Sequence, residues 1–415
     1  MKKILILGGA NLHCKLVKAA KEMGLYTIVT DYLENSPAKQ IADKSYMLDI
    51  KDVDGIVQMC KEENVEAVIS TYLDPCQRYY YQICEALKLP CYIGTWEQVY
   101  TLTDKEAFKA CCQKYGVDII PTYEENQVDI EYPVLVKPAH SRGSRGQTIC
   151  NSYDEISKAV EIAKKESGNG KAIIEKYMGN KNDFTMTYIF KDGEPYLTKT
   201  SDRYLGSEEC GLEKVCVIAV SPSKYTDTYK KNVENRLLNM LKGIGIKNGP
   251  VFMQGFIDND TVRFYDPGYR FPGSEYDTLF EKIWNIDIMK MMINYALCGK
   301  MTNEYGELSD DLVYLKGKNI STMFPTVCSG KISDIRGLEV IKEMPELECY
   351  TIRHEVGEFV HASRDVNQRI AEFDFITDSA THLKDTVVKV LETLCVLDEN
   401  GENMLSGNVD PNSIY

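Results

Sequence analysis

Two stretches of this chain combine residue types that could handle phosphate. In the first, Lys137-Pro138 leads into His140-Ser141-Arg142-Gly143-Ser144-Arg145-Gly146. Glycines let backbone N–H groups approach phosphate oxygens, and Lys137, Arg142 and Arg145 supply positive charge. Ser141, Gly143, Ser144 and Gly146 are therefore candidate phosphate contacts, although the spacing of a Walker A loop is absent. An exposed turn carrying incidental arginines is the competing reading. The second stretch pairs Phe252-Met253-Gln254-Gly255-Phe256 with Phe264-Tyr265-Asp266-Pro267-Gly268-Tyr269-Arg270. With a three-residue hairpin loop, Gln254 and Asp266 fall on one face; a two-residue loop brings Met253 there instead. Asp266 is a hard oxygen ligand suited to Mg²⁺, and Arg270 stands where it could neutralise phosphoryl charge. A plain turn at Asp266-Pro267-Gly268 is the alternative.

The elements expected to position these residues are of two kinds. Continuous apolar runs at Lys3–Leu7, Tyr26–Thr30, Ala67–Ser70 and Cys91–Ile93 read as buried parallel strands. They alternate with helices at Leu12–Met23, Asp54–Glu63 and Tyr79–Leu87, which predicts a doubly wound α/β domain. From Thr103 the pattern becomes α+β. A helix capped by Thr103 runs to Tyr115, strands cover Val134–Lys137 and Ala172–Tyr177, and Lys191-Asp192-Gly193 joins a hairpin. From about Met323 the chain reads as short strands with one helix. Past Leu397 it is polar and acidic, so a disordered tail is expected over 398–415.

Composition removes whole classes of function. Acidic residues outnumber basic ones 62 to 48, a formal charge of −14, which excludes a general nucleic-acid or anionic-membrane binder. No stretch reaches the roughly 18 apolar residues of a membrane span, and the opening apolar run is too short for a signal peptide. Fourteen cysteines without a C-x-x-C pair, several of them in apolar runs, point to thiols in a reducing, cytoplasmic compartment. Five scattered histidines show no zinc spacing. Asp31, about twenty residues after Gly8-Gly9, raises the possibility of NAD binding. The glycine fingerprint is incomplete, however, and a tight strand–helix turn explains it as well.

Taken in order, Asp104-Lys105, Lys137-Pro138 with its loop, Glu175-Lys176-Tyr177-Met178 and Asp266 to Arg270 resemble the ATP-grasp superfamily. The likeness is to its carboxylate–amine ligases, the group of biotin carboxylase, phosphoribosylaminoimidazole carboxylase and L-amino acid ligases. Ser36-Pro37-Ala38 and Ala42-Asp43 resemble the Rossmann-like pre-ATP-grasp domain, and Ser329-Gly330-Lys331-Ile332 with Gly337-Leu338 the small β-rich C-terminal domain. The implied division is 1–100, 101–315 with a mobile lid about 121–200, and 316–397, followed by the tail.

The resemblance implies that Lys105 and Lys137 hold the phosphates of ATP, with Ser141–Gly146 as the lid. Glu175 lies near the adenine amino group, Lys176 beside it, and Met178 gives a backbone contact. Asp183 binds ribose, Asp266 carries Mg²⁺ (or Mn²⁺) with Gln254, and Arg270 steadies the acyl phosphate. Gly273, before a helix capped by Ser274 with Asp277, and Arg203, a carboxylate clamp, are candidates for substrate contact. The family usually has glutamate at Gln254 and asparagine at Gly268, which puts a second metal ion in doubt. The implied activity is ATP-dependent joining of a small carboxylate to an amine, as in an amino-acid or dipeptide ligase, by a chain that forms homodimers in many such ligases. An ATP-binding protein that has lost catalysis and an NAD oxidoreductase are the rival readings.

Overall fold

The computed structural model describes residues 1–139, 146–179, 182–206, 211–212, 215–407 and 409–414. The first sheet is parallel, and in spatial order its strands are Lys44–Tyr46, Tyr26–Thr30, Lys3–Leu7 and Ala67–Ile69. Ile4 to Leu7 are fully buried, as expected for a strand covered on both faces. The expected strand at Cys91–Ile93 does not form. Pro90 precedes it and cannot donate to a ladder, and Tyr92 turns inward so that its hydroxyl bonds to the Ser70 carbonyl.

A second, antiparallel sheet of four strands carries Thr122–Tyr123, Ala172–Lys176, Val134–Pro138 and Thr148–Cys150 in that order. The helix Tyr153–Glu166 covers it, and the two share a small core around Val134, Val136, Ile156 and Val160.

The third sheet is the centre of the molecule. Its eight strands run Thr261–Gly268, Gly249–Asp258, Asp183–Lys191, Glu194–Leu205, Cys216–Ser221, Asn319–Met323, Ala371–Thr377 and Leu347–Ile352. No break occurs in this sheet at the boundary expected at 315/316. Asn319–Met323 pairs with Cys216–Ser221 on one side and Ala371–Thr377 on the other. The C-terminal part nonetheless has its own apolar cluster, around Phe373, Phe375, Val387 and Val390.

The expectation of a disordered tail is overturned. Leu405–Ser406 pairs with Thr326–Val327, and Met404 and Ile414 are buried in the C-terminal cluster. Among its described residues, Met404, Leu405, Val409 and Ile414 pack on that core and hold this polar segment in place. All the cysteines described are free thiols, and among the described residues no helix is long and apolar enough to cross a membrane.

Asp374 lies on the seventh strand of the third sheet, fully buried. Its Oδ1 accepts a hydrogen bond from the Thr322 hydroxyl at 2.6 Å, and its Oδ2 has no partner among the described residues. Burial, with neighbouring Glu372 adding to it, pushes the Asp374 carboxyl up to about 8. The folded chain therefore keeps a proton that the unfolded chain releases near 3.8, so this group lowers stability as pH rises between the two values. Burial also raises Asp183, to about 6, and lowers His13 from 6.5 to about 4. These two act in opposite directions below 6.5, and Lys199, lowered by burial to about 8, acts above that value. Between pH 6.5 and 8 the slope belongs to Asp374. Urea midpoints should fall across that interval, and Asp374→Asn should flatten the fall. A second expectation concerns the tail: Ile414→Ala should cost about 2–4 kcal/mol in the same denaturation experiment.

Candidate functional site

The candidate site lies on one face of the eight-stranded sheet. Directly paired residues share a face, so Asp266, Gln254, Thr185 and Ser201 form one row across four strands. Thr187 and Lys199 lie in a neighbouring row, and Asp183 and Arg203 in another. This face is polar, whereas Phe184, Met186 and Val251 fill the opposite one.

Gln254 and Asp266 do face one another, by a route the sequence did not reveal. The hairpin loop has only two residues, because Asp258 pairs with Thr261. That loop alone would set Met253 against Asp266. A bulge intervenes: Gly255 pairs with Phe264 and Gln254 with Asp266, leaving Tyr265 as the extra residue. Gly255 is needed there, since a Cβ would lie 2.5 Å from Val262 Cγ1. The extra residue is put to use, for the Tyr265 hydroxyl lies 3.2 Å from Arg203 and 3.4 Å from Asp183.

Lys105 is the first residue of the helix Lys105–Tyr115. The capping residue is Asp104, whose side chain accepts from Ala107 N at 2.9 Å; the expected cap, Thr103, instead donates to the Val99 carbonyl. Lys105 is recessed and makes no hydrogen bond or ion pair among the described residues. Burial lowers its pKa, partly offset by the Asp266 carboxylate nearby. Lys109, one turn on, was missed by the sequence reading, although the i,i+4 spacing puts it on the same helix face. It donates to Glu175 Oε2 at 3.1 Å, while Lys137 bonds to Oε1.

Glu175 is therefore not positioned as an acid open to an adenine amino group. Burial opposes its charge, but Lys137 and Lys109 prevail and hold its pKa below the usual range. Its neighbours Lys176 and Met178 lie where the strand leaves the second sheet. Lys176 is half-exposed and paired with Glu131 at 2.9 Å, and Met178 is half-buried. Ser141, Gly143 and Ser144, with Arg142 and Arg145, lie outside the described residues. Gly146 has φ +68°, and a Cβ there would meet Glu166 at 2.7 Å.

Asp183 and Arg203 pair with each other at 2.8 Å and are largely enclosed. Neither the expected open ribose acceptor nor a free carboxylate clamp matches this arrangement: each side chain has the other as its counter-ion. Arg270 is also engaged. Its guanidinium forms a two-pronged pair with Asp74, the first residue of the helix Asp74–Leu87, and lies 4.6 Å above the Phe252 ring. Asp74 was not anticipated; the Asp-Pro pair opening a helix was its only mark in the sequence.

Asp266 makes no hydrogen bond among the described residues. Burial raises its pKa; Lys105 acts against this, Asp74 reinforces it, and Arg270 and Lys137 oppose it. The missing asparagine has a steric explanation. Phe252 faces Gly268 across the hairpin, and a Cβ on Gly268 would lie 2.1 Å from its ring. Among the described residues no three His, Cys, Asp or Glu side chains are arranged to hold an ion by themselves. One carboxylate and one amide suit a magnesium ion that brings most of its ligands with it as phosphate and water.

The helix expected after Gly273 begins later, at Tyr276, with Glu275 in the cap position. Asp277 is drawn away from capping by Lys15 of the first domain, at 2.7 Å. Gly273 lies in the loop before this helix, where a Cβ would touch only Leu12 at 3.6 Å. Asp31, the mark of the NAD reading, is spent within its own loop: its carboxylate accepts from Gly9 N and Leu33 N, both at 2.8 Å.

The crowding at Gly268 can be tested by mutation. Gly268→Asn should cost about 1–3 kcal/mol by overpacking. In a Phe252→Ala background the same change should cost much less, as read by thermal denaturation of the four proteins in the cycle.

Residues 104–301 match the family described as carbamoyl-phosphate synthase L chain, ATP binding domain, and residues 4–76 match the PylC-like N-terminal domain. The formate-dependent phosphoribosylglycinamide formyltransferase of Prochlorococcus marinus subsp. pastoris is 27% identical over 61% of this chain and 67% of its own length. Similarity to the curated relatives thus extends over about two-thirds of their length or less. The L-amino acid ligase of Bacillus licheniformis superposes with a TM-score of 0.79 at 17% identity, covering 96% of this chain and 99% of that one. The biotin carboxylase domain of Hydrogenobacter thermophilus 2-oxoglutarate carboxylase, a dimer solved with MgADP and bicarbonate, gives 0.72 at 19% identity over 95% and 90%. With its lysines, its hairpin carboxylate and its sheets arranged as described, residues 104–301 form an ATP-grasp domain, and the chain as a whole has the fold of the L-amino acid ligase and biotin carboxylase structures.

Proposed function

We propose that this chain is an ATP-dependent ligase that activates a small carboxylate as an acyl phosphate and joins it to an amine, releasing ADP and phosphate. The observation that carries this reading is the grouping of the unpaired Lys105 and the unbonded Asp266 carboxylate with Lys137 and Arg270 close by. ATP with its magnesium ion supplies the phosphoryl group. Around it, Lys105 and Lys137 compensate phosphate charge, and Asp266 with the Gln254 amide carries the metal. Lys109 and Glu175 fix the Lys137 ammonium in place. Arg270, anchored by Asp74 and by the Phe271 carbonyl, places a positive charge just past the end of the hairpin strand. Cytoplasmic location and assembly as a homodimer belong to the same reading.

The Gln254 amide and the blocked position at Gly268 favour a second reading, nucleotide binding without turnover. Full-length protein with ATP, Mg²⁺ and pools of amino acids decides between them. ADP and phosphate released only when two substrates are present, with a ligated product mass, is the expected result. Nucleotide binding without turnover would favour the second reading instead. Asp266→Ala should lower turnover by about a hundredfold or more. Manganese binding followed by electron paramagnetic resonance should be weak for the protein alone and strong with ADP. Gln254→Glu should tighten binding without nucleotide, because a charged carboxylate is a better hard-metal ligand than an amide.

A further inference from the structure

Glu175 is shared by two lysines, one on each oxygen. Lys137 bonds to Oε1, and Lys109 donates to Oε2 at 3.1 Å. All three side chains are closed off from solvent: Lys109 is 9% exposed, Lys137 4% and Glu175 1%. Lys137 and Glu175 come from paired strands. Leu135 stands opposite Glu175, so Lys137 is the diagonal neighbour of Glu175 on the same face. Lys109 comes from outside that sheet, from the helix Lys105–Tyr115. Just past this helix the Asp118 carbonyl accepts from Phe264 N at 3.0 Å, in the hairpin that bears Asp266.

One carboxylate between two ammonium groups leaves one positive charge in excess. Burial lowers the Lys109 pKa, Glu175 raises it, and the like charges of Lys137 and Lys105 lower it further. Burial also opposes the Glu175 charge, but the two lysines prevail and keep the carboxylate ionised. An unbalanced charge out of water is costly, and the scaffold alone does not require it. Elsewhere in this chain one cation suffices to enclose a carboxylate, as Arg203 does for Asp183 at 2.8 Å. With Glu175 as its sole neighbour, Lys137 would be held in place and neutralised at the same time. Lys109 takes over the compensation of Glu175 and leaves the Lys137 charge for an anion that arrives.

We propose that Lys109 is a positioning residue for nucleotide binding: it neutralises Glu175, so that Glu175 can hold the Lys137 ammonium in place without cancelling its charge toward the phosphates of ATP. Lys109 acts through Glu175 and Lys137, not by touching the nucleotide. The inference rests on the ligase reading only for the assignment of Lys137 to phosphate, and turnover is not part of it.

Calorimetric binding of Mg·ADP and of adenosine to the full-length protein tests this. Lys109→Met should weaken ADP binding about ten- to a hundredfold and leave adenosine binding nearly unchanged. Lys109→Gln can still donate to Glu175 but brings no charge, and should weaken ADP binding to a similar extent. Lys109→Arg should retain most of the wild-type affinity. The decisive protein is the double variant of Lys109→Met with Glu175→Gln. With no carboxylate left to cancel Lys137, it should bind ADP more tightly than Lys109→Met alone. A double variant that binds ADP no better than the single one would overturn the proposal, because a lost structural support or a lost direct phosphate contact is not repaired by a second removal. Equal losses for ADP and adenosine, or wild-type ADP affinity in Lys109→Gln, would overturn it as well. The expected binding pattern without any turnover counts against the ligase reading alone; turnover with ADP affinity indifferent to Lys109 counts against the positioning role alone.

Discussion

The contact between Arg270 and Asp74 ties the first domain to the sheet that carries the site. Asp74 begins a helix that follows the last strand of the first sheet, and Arg270 follows the last strand of the hairpin. A two-pronged ion pair between them sets the distance and angle of these two elements together. Phe252 stacks under the guanidinium, which is why Phe252 stands opposite position 268 and why that position must be glycine. One joint thus accounts for an arginine held at the strand end and for the lack of room for a side chain at position 268 beside it. The Lys15 contacts with Asp277 and Glu275 form a second tie across the same seam.

Buried charge shapes the rest of the site. Taking an ion out of water is expensive unless a partner compensates. Glu175 meets this with two lysines, and Asp183 with Arg203 and Tyr265. Asp266 and Lys105 do not meet it within the protein. Charges that are fully paired hold the scaffold still, and those that are not are the ones available to something that arrives from outside. The division separates scaffold from contact residues more sharply than residue type does, since lysine and aspartate appear in both groups.

How much of this was legible in the sequence depends on the range of the interaction. The first parallel strands and their helices were readable because their apolar spacing is local; Lys137 and Asp266 stood out by the residues around them, and Lys105 only through the family resemblance. Lys109 could have been read from its helical spacing with Lys105. Asp74 could not, because its partner is 196 residues away. The engagement of Glu175, Asp183 and Arg203 with other side chains was equally hidden, since partners in space leave no mark at a fixed spacing. The tail was misjudged on average polarity: two buried side chains, Met404 and Ile414, outweighed it.

The bulge at Tyr265 makes the parity of a single strand the condition for the site. Strand residues alternate between faces, so one residue more or fewer exchanges all of them. If Tyr265 were taken into the ladder opposite Gln254, the strand would turn Asp266 away from Gln254 and set it against Met253, in the apolar interior. In this hairpin the presence of the bulge is therefore a condition of the chemistry, although removal of the extra residue would itself leave Asp266 opposite Gln254. A residue inserted between Phe264 and Asp266, by contrast, would have to be bulged out together with Tyr265.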